Sequence, residues 1–334
     1  NGKKGFEQVL ENGEVGLTFE EIFVDWTVAN YLDDTSVDDG QFGYREIDFM
    51  VESTHKHYLY PVYREANVSQ YAADYIELEM GLGDVEINFS GVGQTKLVSE
   101  DPRTEELLWW SNRGDLAESS LTGAFDLRDV EKATLQCWLW YDIEKDYDYA
   151  YVEASHDGGE TWRTLQGRNT TRDNPNGLNF GEALTGRSGG GDSPVWVEEE
   201  FDLSSYSGKE ILIRFEYVTD DAYNGEGLCI DDIAIPEIGY LDDIEGSESR
   251  WKPEGFIHTD NYVPQSFMVR IITFGDQTQV RRLSLSEDGC GKTVIRGLGD
   301  TAKKAVIVVT AMAPKTLQPA RYWYSVVPVE PRGD

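Results

Sequence analysis

The densest chemistry in the 334-residue chain lies in two acidic stretches. YDIEKDYDYAY carries Asp142, Glu144, Asp146 and Asp148 within one hairpin-sized segment, and VTDDAYNGEG adds Asp220 and Asp221. Carboxylates packed at this density raise one another's proton affinity unless a cation neutralises them. Calcium takes about six to eight oxygens from side chains and carbonyls, so two adjacent loops of this kind suffice to surround one ion. On the residues alone, a calcium site and a solvated acidic loop stand even. A third stretch, CIDDIAIP, reads as a strand, in which Asp231 and Asp232 point to opposite faces. At least one carboxylate is then directed inward between Ile230 and Ile233. A buried carboxylate is costly without a partner, which here is a cation, an array of backbone N–H groups or a plain hydrogen bond.

Other residue types offer less. SHDGGETW has the spacing of an Asp-box, in which Asp157 accepts backbone N–H bonds, glycines take positive φ and Trp162 closes the hairpin. A propeller would repeat the box once per blade, and only one copy is present, so the turn is a folding device. His55 and His57 share one face of a strand and could hold a metal with a third ligand, although hydrogen-bonded imidazoles are commoner. The three cysteines, Cys137, Cys229 and Cys290, cannot all pair, and two lie in apolar strand-like runs where a thiol behaves as a small hydrophobe. Nine Trp and eighteen Tyr could stack on sugar rings, but a platform needs them on one exposed face.

Charge narrows the partners. Lys and Arg total 29 against 62 Asp and Glu, a net −33 that repels phosphate backbones and excludes nucleic acid. There is no apolar run of about 18 residues and no basic-then-apolar amino terminus, so neither a membrane span nor a signal peptide is expected. A chain that opens at Asn1 on helix-forming sequence reads as a processed piece of a longer precursor.

The elements that must position these residues are mostly strands. LTFEEIFVDWTVANYLDD is the convincing helix, with a Thr18–Glu21 capping box and Phe19, Ile22, Phe23 and Trp26 at helical spacing; its face is expected to pack through Phe19, Phe23 and Trp26. From Tyr71 onward, short apolar runs separated by Gly, Asp, Asn and Pro predict an antiparallel sandwich. The long Gly- and Asn-rich stretch from Arg168 to Pro194 is of a length usually functional, mobile or tied down by a ligand. After Pro236 six further strands without a helix predict a second, smaller Ig-like sandwich. The expected organisation is a helical segment and connection at 1–70, an antiparallel sandwich at 71–240 and a small sandwich at 241–334.

LWWSNRGDLAESSLTGAFDL, WLWYDIEKDYDYAYVEASHDGGETW and IRFEYVTDDAYNGEGLCIDDIAIPEIGY together resemble the carboxy-terminal region of immune inhibitor A-type secreted bacterial metallopeptidases. The resemblance implies a MAM-like jelly roll in the centre and a closing segment of a peptidase domain at the start. Jelly rolls of this kind often hold structural calcium, which tips the acidic stretches toward a metal: one site at Asp142, Glu144, Asp148, Asp220 and Asp221. In jelly rolls the last strand lies beside the first, so Asp74 and Glu77 are expected to complete a second site with Asp231 or Asp232. The family's peptidase holds zinc with His-Glu-x-x-His. None of His55, His57, His156 and His258 sits in that pattern, so the resemblance implies zinc only in a missing amino-terminal peptidase portion, no catalytic residue here and no proteolysis by this chain alone. The implied role is non-catalytic: secreted, at the cell surface or extracellular, binding a protein or glycan surface ligand. A stand-alone carbohydrate-binding module and a structural protein of an extracellular assembly are the alternatives.

Overall fold

The computed structural model describes residues 2–13, 16–81, 83–246 and 249–330. The chain is mainly β, with two short amino-terminal helices, and divides into two compact units. One comprises Lys96–Tyr262; the other joins Asn1–Thr95 to Val263–Asp334.

The Lys96–Tyr262 unit is an antiparallel β-sandwich. One sheet runs in the order Arg163–Thr164, Tyr149–Ser155, Glu210–Val218, Glu118–Asp126, Trp251–Glu254. The other runs Val197–Asp202, Thr134–Asp142, Gly227–Ile235, Leu108–Trp110, Ile257–Thr259, with Tyr240–Asp242 paired beside Gly227–Ile235. Leu121, Phe125, Ile213 and Phe215 from the first sheet meet Leu135, Leu139, Ile230 and Ile233 from the second in one core. Period-2 alternation explains this: each strand sends every other side chain inward.

The second unit is discontinuous. Val62–Val68, Ala320–Pro328, Gly83–Gly91 and Cys290–Leu298 form one antiparallel sheet in that order, and Thr278–Leu283, Phe267–Phe274 and Lys304–Ala311 form another. His55–His57 pairs parallel to Ala72–Glu79. Ile87, Tyr322 and Val326 pack with Ile76, Ile271 and Ile307 between the layers. The helix Phe19–Leu32 covers the outside of the second sheet: Val28 and Ala29 meet Ile272, Val306 and Val308. Lys304–Ala311 is thus buried on both faces, and that is why KAVIVVTA shows no alternation.

These pairings correct the expected boundaries. Ala72–Glu79 and Gly83–Gly91 belong with the carboxy-terminal strands, and Trp251–Glu254 and Ile257–Thr259 belong with the central sandwich. Sheet partners are chosen by complementary faces across long separations, so a cut at 71 or 240 severs paired strands. The helix also differs in its face. Its capping box forms as expected, with Glu21 N–H donating to Thr18 Oγ1 at 3.2 Å, but the buried residues are Val24, Thr27, Val28, Ala29 and Asn30. Phe23 lies 5.9 Å from the Tyr71 ring and 5.6 Å from Trp26, which stays half exposed. Small and β-branched side chains let the helix approach a flat sheet; the bulky rings cluster at the flank instead.

Candidate metal centre

Strand register assembles the first acidic cluster. Tyr149 pairs with Val218, so the residues just beyond each strand end, Asp148 and Asp220, are brought together. A tight turn carries Glu144 to the same point, with Asp148 N–H donating to the Glu144 carbonyl at 3.1 Å and Asp146 in the left-handed region at φ 68°. Thr185, from the long loop, clamps this turn by accepting from Asp146 N–H at 2.9 Å and donating to the Glu144 carbonyl at 3.2 Å. One oxygen each from Glu144, Asp148 and Asp220 then lie within 4.8 Å of one another.

Asp148 is fully buried. Its carboxylate accepts the Asp220 N–H at 2.9 Å and the Tyr217 hydroxyl at 3.4 Å. Burial, then the charges of Asp220 and Glu144, push its pKa up to about 6 against the pull of the Asp220 N–H. Burial and Asp220 also raise the proton affinity of Glu144. Three carboxylates facing one point at neutral pH is an arrangement that a hard cation with oxygen ligands relieves. The same loop contributes a residue not singled out from the sequence. Asn224 is buried; its Nδ2 donates to Asp115 at 2.5 Å, and its Oδ1 has no hydrogen-bond partner among the described residues. Gly225 beside it packs onto the Asp142 backbone, where a Cβ would collide with the carbonyl oxygen.

Two of the five residues expected here do not join. Asp142 is engaged by Arg187, whose Nε donates at 2.9 Å, and Asp221 is exposed outside the cluster. An arginine neutralises the first without any metal ion, and a side chain one residue further along a turn points elsewhere.

Of the second expected cluster, Asp74 and Glu77 belong to one unit and Asp231 and Asp232 to the other, and each residue has partners within its own unit. Asp74 accepts from Tyr322 at 2.7 Å, and burial raises its pKa. Glu77 accepts from Ser53 at 2.5 Å and Tyr31 at 2.9 Å; against the cost of burial, these donors and Lys304 bring it to about 2. Asp231 has the array of N–H groups: Arg103 and Thr104 donate to Oδ2 at 2.9 and 3.2 Å, and Asp232 donates to Oδ1 at 2.8 Å. Asp232, at φ 48° in a bulge, pairs with Arg103 at 2.5 Å. A bulge is what lets both neighbours of a strand Asp-Asp pair be used by one loop, and alternation alone does not reveal it.

The remaining candidates resolve into structural roles. His57 Nε2 meets the Tyr324 hydroxyl at 2.7 Å, and burial lowers its pKa. Asp157 accepts from Thr161 N–H at 3.0 Å and holds its turn as the Asp-box predicts. The long loop is tied down by the protein itself: Leu184 pairs with Ala150, and Glu199 accepts from the N–H groups of Arg168 and Asn169 at 2.8 and 3.1 Å. Cys137, Cys229 and Cys290 are all free thiols.

The family model described as "Immune inhibitor A-like, MAM domain" matches residues 85–261, more than half of the chain. The chain belongs to that family. The match ends one residue before the close of the Lys96–Tyr262 unit and contains Glu144, Asp148 and Asp220. Among curated relatives, the pre-pro-metalloprotease PrtV of Vibrio cholerae is 33% identical over 151 residues, 44% of this chain and 15% of PrtV. Immune inhibitor A of Bacillus thuringiensis subsp. alesti is 27% identical over 202 residues, 55% of this chain and 27% of the relative. Bacillopeptidase F of Bacillus subtilis is 28% identical over 103 residues, 31% of this chain and 6% of the relative. The matched segment therefore spans only about a quarter, or less, of each of these proteins. No described helix is long and apolar enough to cross a membrane.

Proposed function

We propose that the chain serves as the non-catalytic, carboxy-terminal part of a secreted immune inhibitor A-like zinc metallopeptidase, binding substrate or a surface and stabilising the protein with structural calcium. A relative named as a pre-pro-metalloprotease and another named immune inhibitor A, together with a sequence in which no histidine has the zinc-binding spacing, support the non-catalytic part of this assignment. The observation that carries the calcium is the meeting of Glu144 and Asp220 with the fully buried Asp148. These three residues would hold the ion, and Asn224 Oδ1, in the loop that carries Asp220, is a further buried oxygen without a partner among the described residues. Bound calcium would supply charge neutralisation that ties the turn at 144–148 to the loop at 219–226.

A cation that binds only the folded state adds RT ln(1 + [L]/Kd), about 2.7 kcal/mol at 100 times its dissociation constant. Thermal unfolding in calcium, magnesium and chelator tests the assignment. Calcium should raise Tm, and magnesium, which demands a tighter octahedral shell, should raise it less. Identical curves in calcium and chelator would reduce the cluster to a solvated loop. Chelator-sensitive cleavage of casein by the pure chain would overturn its non-catalytic assignment.

A further inference from the structure

In the Asn1–Thr95 and Val263–Asp334 unit, the four-stranded sheet turns one face into the core and leaves an open groove of about 730 Å3 on the other. The register places two rows across this outer face. Tyr63 stands opposite Ser325, Ser325 opposite Asn88, and Asn88 opposite Lys292. In the next row Glu65 faces Trp323, Trp323 faces Ser90, and Ser90 faces Cys290. Tyr322 and Val326, of opposite parity, are buried in the core. Tyr63 is 69% exposed and is not part of the core.

The rest of the face is prepared for hydrogen bonding. Trp323 is fixed by its Nε1 donating to Glu65 at 2.9 Å and by the Arg321 guanidinium 5.0 Å above its ring. Asn88, which lines the groove, donates from Nδ2 to Ser325 Oγ and to Glu86 Oε1, both at 3.3 Å, and its carbonyl oxygen has no protein donor among the described residues. Glu65 is occupied by Trp323 and Arg321, whereas Lys292 is exposed and makes no ion pair among the described residues. The one carboxylate in the groove is thus spent, and the lysine's charge is not.

We infer that this groove binds a short pyranose saccharide carrying one carboxylate, its rings stacked on Tyr63 and Trp323 and its acid directed to Lys292. Flat rings beside amide and hydroxyl groups match the apolar face and the hydroxyl rim of a sugar. The groove crosses the strands on their face, so it offers no free backbone for a peptide to extend the sheet. A net charge of −33 repels nucleic acid and anionic membranes over their many phosphates, whereas a single carboxylate meeting Lys292 suffers little of that repulsion. A volume of 730 Å3 lies within the roughly 300–1,000 Å3 of small-ligand clefts.

The inference rests on the surface-binding part of the proposed function and not on its calcium, since no residue of the Lys96–Tyr262 unit lines the groove. The test is calorimetric titration of the full chain with sialyllactose and with a uronic acid-capped xylotriose, each beside its neutral counterpart, in calcium and in chelator. At least one acidic sugar should bind saturably in both buffers and more tightly than its neutral counterpart. Tyr63→Ala, at an exposed position, should weaken binding about tenfold, equivalent to about 1.4 kcal/mol. Lys292→Gln should erase the preference for the acid. Trp323→Ala should abolish binding, with circular dichroism checking the fold. Occupancy should also slow maleimide labelling of Cys290, since Cys137 and Cys229 are buried. No binding of either acidic sugar, equal binding of acid and neutral forms, or binding indifferent to Tyr63→Ala would overturn the inference. None of these outcomes touches the calcium-dependent Tm, which tests the other half of the proposed function.

Discussion

Asp148 and Asp231 are both fully buried carboxylates in the same sandwich, and both are pushed up to about 6 chiefly by burial. Their surroundings differ. Asp231 accepts three backbone N–H groups, from Arg103, Thr104 and Asp232, and its acidic neighbour Asp232 is paired with Arg103. Asp148 accepts one backbone N–H and a tyrosine hydroxyl, and its neighbours Glu144 and Asp220 add negative charge. A buried carboxylate whose lone pairs are filled by the backbone is a structural clasp. One that is crowded by further carboxylates is suited to a cation, and a similar pKa in the two cases does not distinguish them.

The largest effect expected from this contrast is at Asp231. Asp231→Ala leaves three partly buried N–H groups without their acceptor, and at about 1 kcal/mol per lost bond the loss should reach about 3 kcal/mol. Denaturant unfolding should give the same loss in calcium and in chelator; a loss seen only in calcium would make Asp231 a metal ligand after all.

Asp148→Asn should behave in the opposite way. It should abolish a calcium stabilisation of about 2.7 kcal/mol at 100 times the dissociation constant, yet in chelator at pH 7 it should unfold at a higher temperature than the wild type, because a crowded buried charge is gone. A wild-type calcium shift in this variant would move the site elsewhere.

The pH dependence follows from the raised pKa. An Asp that titrates near 6 when folded and near its ordinary value of about 3.9 when unfolded holds its proton more tightly in the folded state. Its stabilising contribution is present in acid and is lost as pH rises from about 4 through about 6. Chelated wild type should therefore lose stability across that window. Calcium, or Asp148→Asn, should remove the Asp148 share and leave the Asp231 share. Unfolding curves at closely spaced pH values would measure both.

Smaller effects should separate the cluster from its surroundings. Raising the salt concentration screens half-buried Glu144 and Asp220 more than fully buried Asp148, so added salt should recover part of what chelation costs, by less than about 1 kcal/mol. Asp221→Asn should change neither Tm nor the calcium shift by more than about 0.5 kcal/mol, in keeping with an exposed residue outside the cluster. A calcium shift diminished by Asp221→Asn would restore that residue to the site.

Much of the cluster is legible in the sequence because it depends on short-range order. Acidic residues placed just before one strand and just after another meet if those strands pair antiparallel, and YDIEKDYDYAY and VTDDAYNGEG both have that form. The sequence could not tell that Asp142 would find Arg187, since 45 positions separate them. Nor could it tell that Asn224 would be buried with an idle oxygen, because asparagine beside glycine is also the ordinary composition of a turn.

By itself the sequence determined the class of structure and the family. Period-2 apolar patterning makes strands, Thr18 and Glu21 start a helix, and long motifs such as WLWYDIEKDYDYAYVEASHDGGETW carry family membership residue by residue. Only the tertiary structure decided which strands share a sheet. Ala72–Glu79 and Gly83–Gly91 sit early in the chain yet complete a sandwich with strands after Val263. Local pattern specifies that a strand has an apolar face, but any complementary face can cover it, and the choice lies in packing across two hundred residues. That choice placed Asp74 and Glu77 in one unit and Asp231 and Asp232 in the other. It also set Tyr63, from the start of the chain, in one groove with Trp323, from near its end.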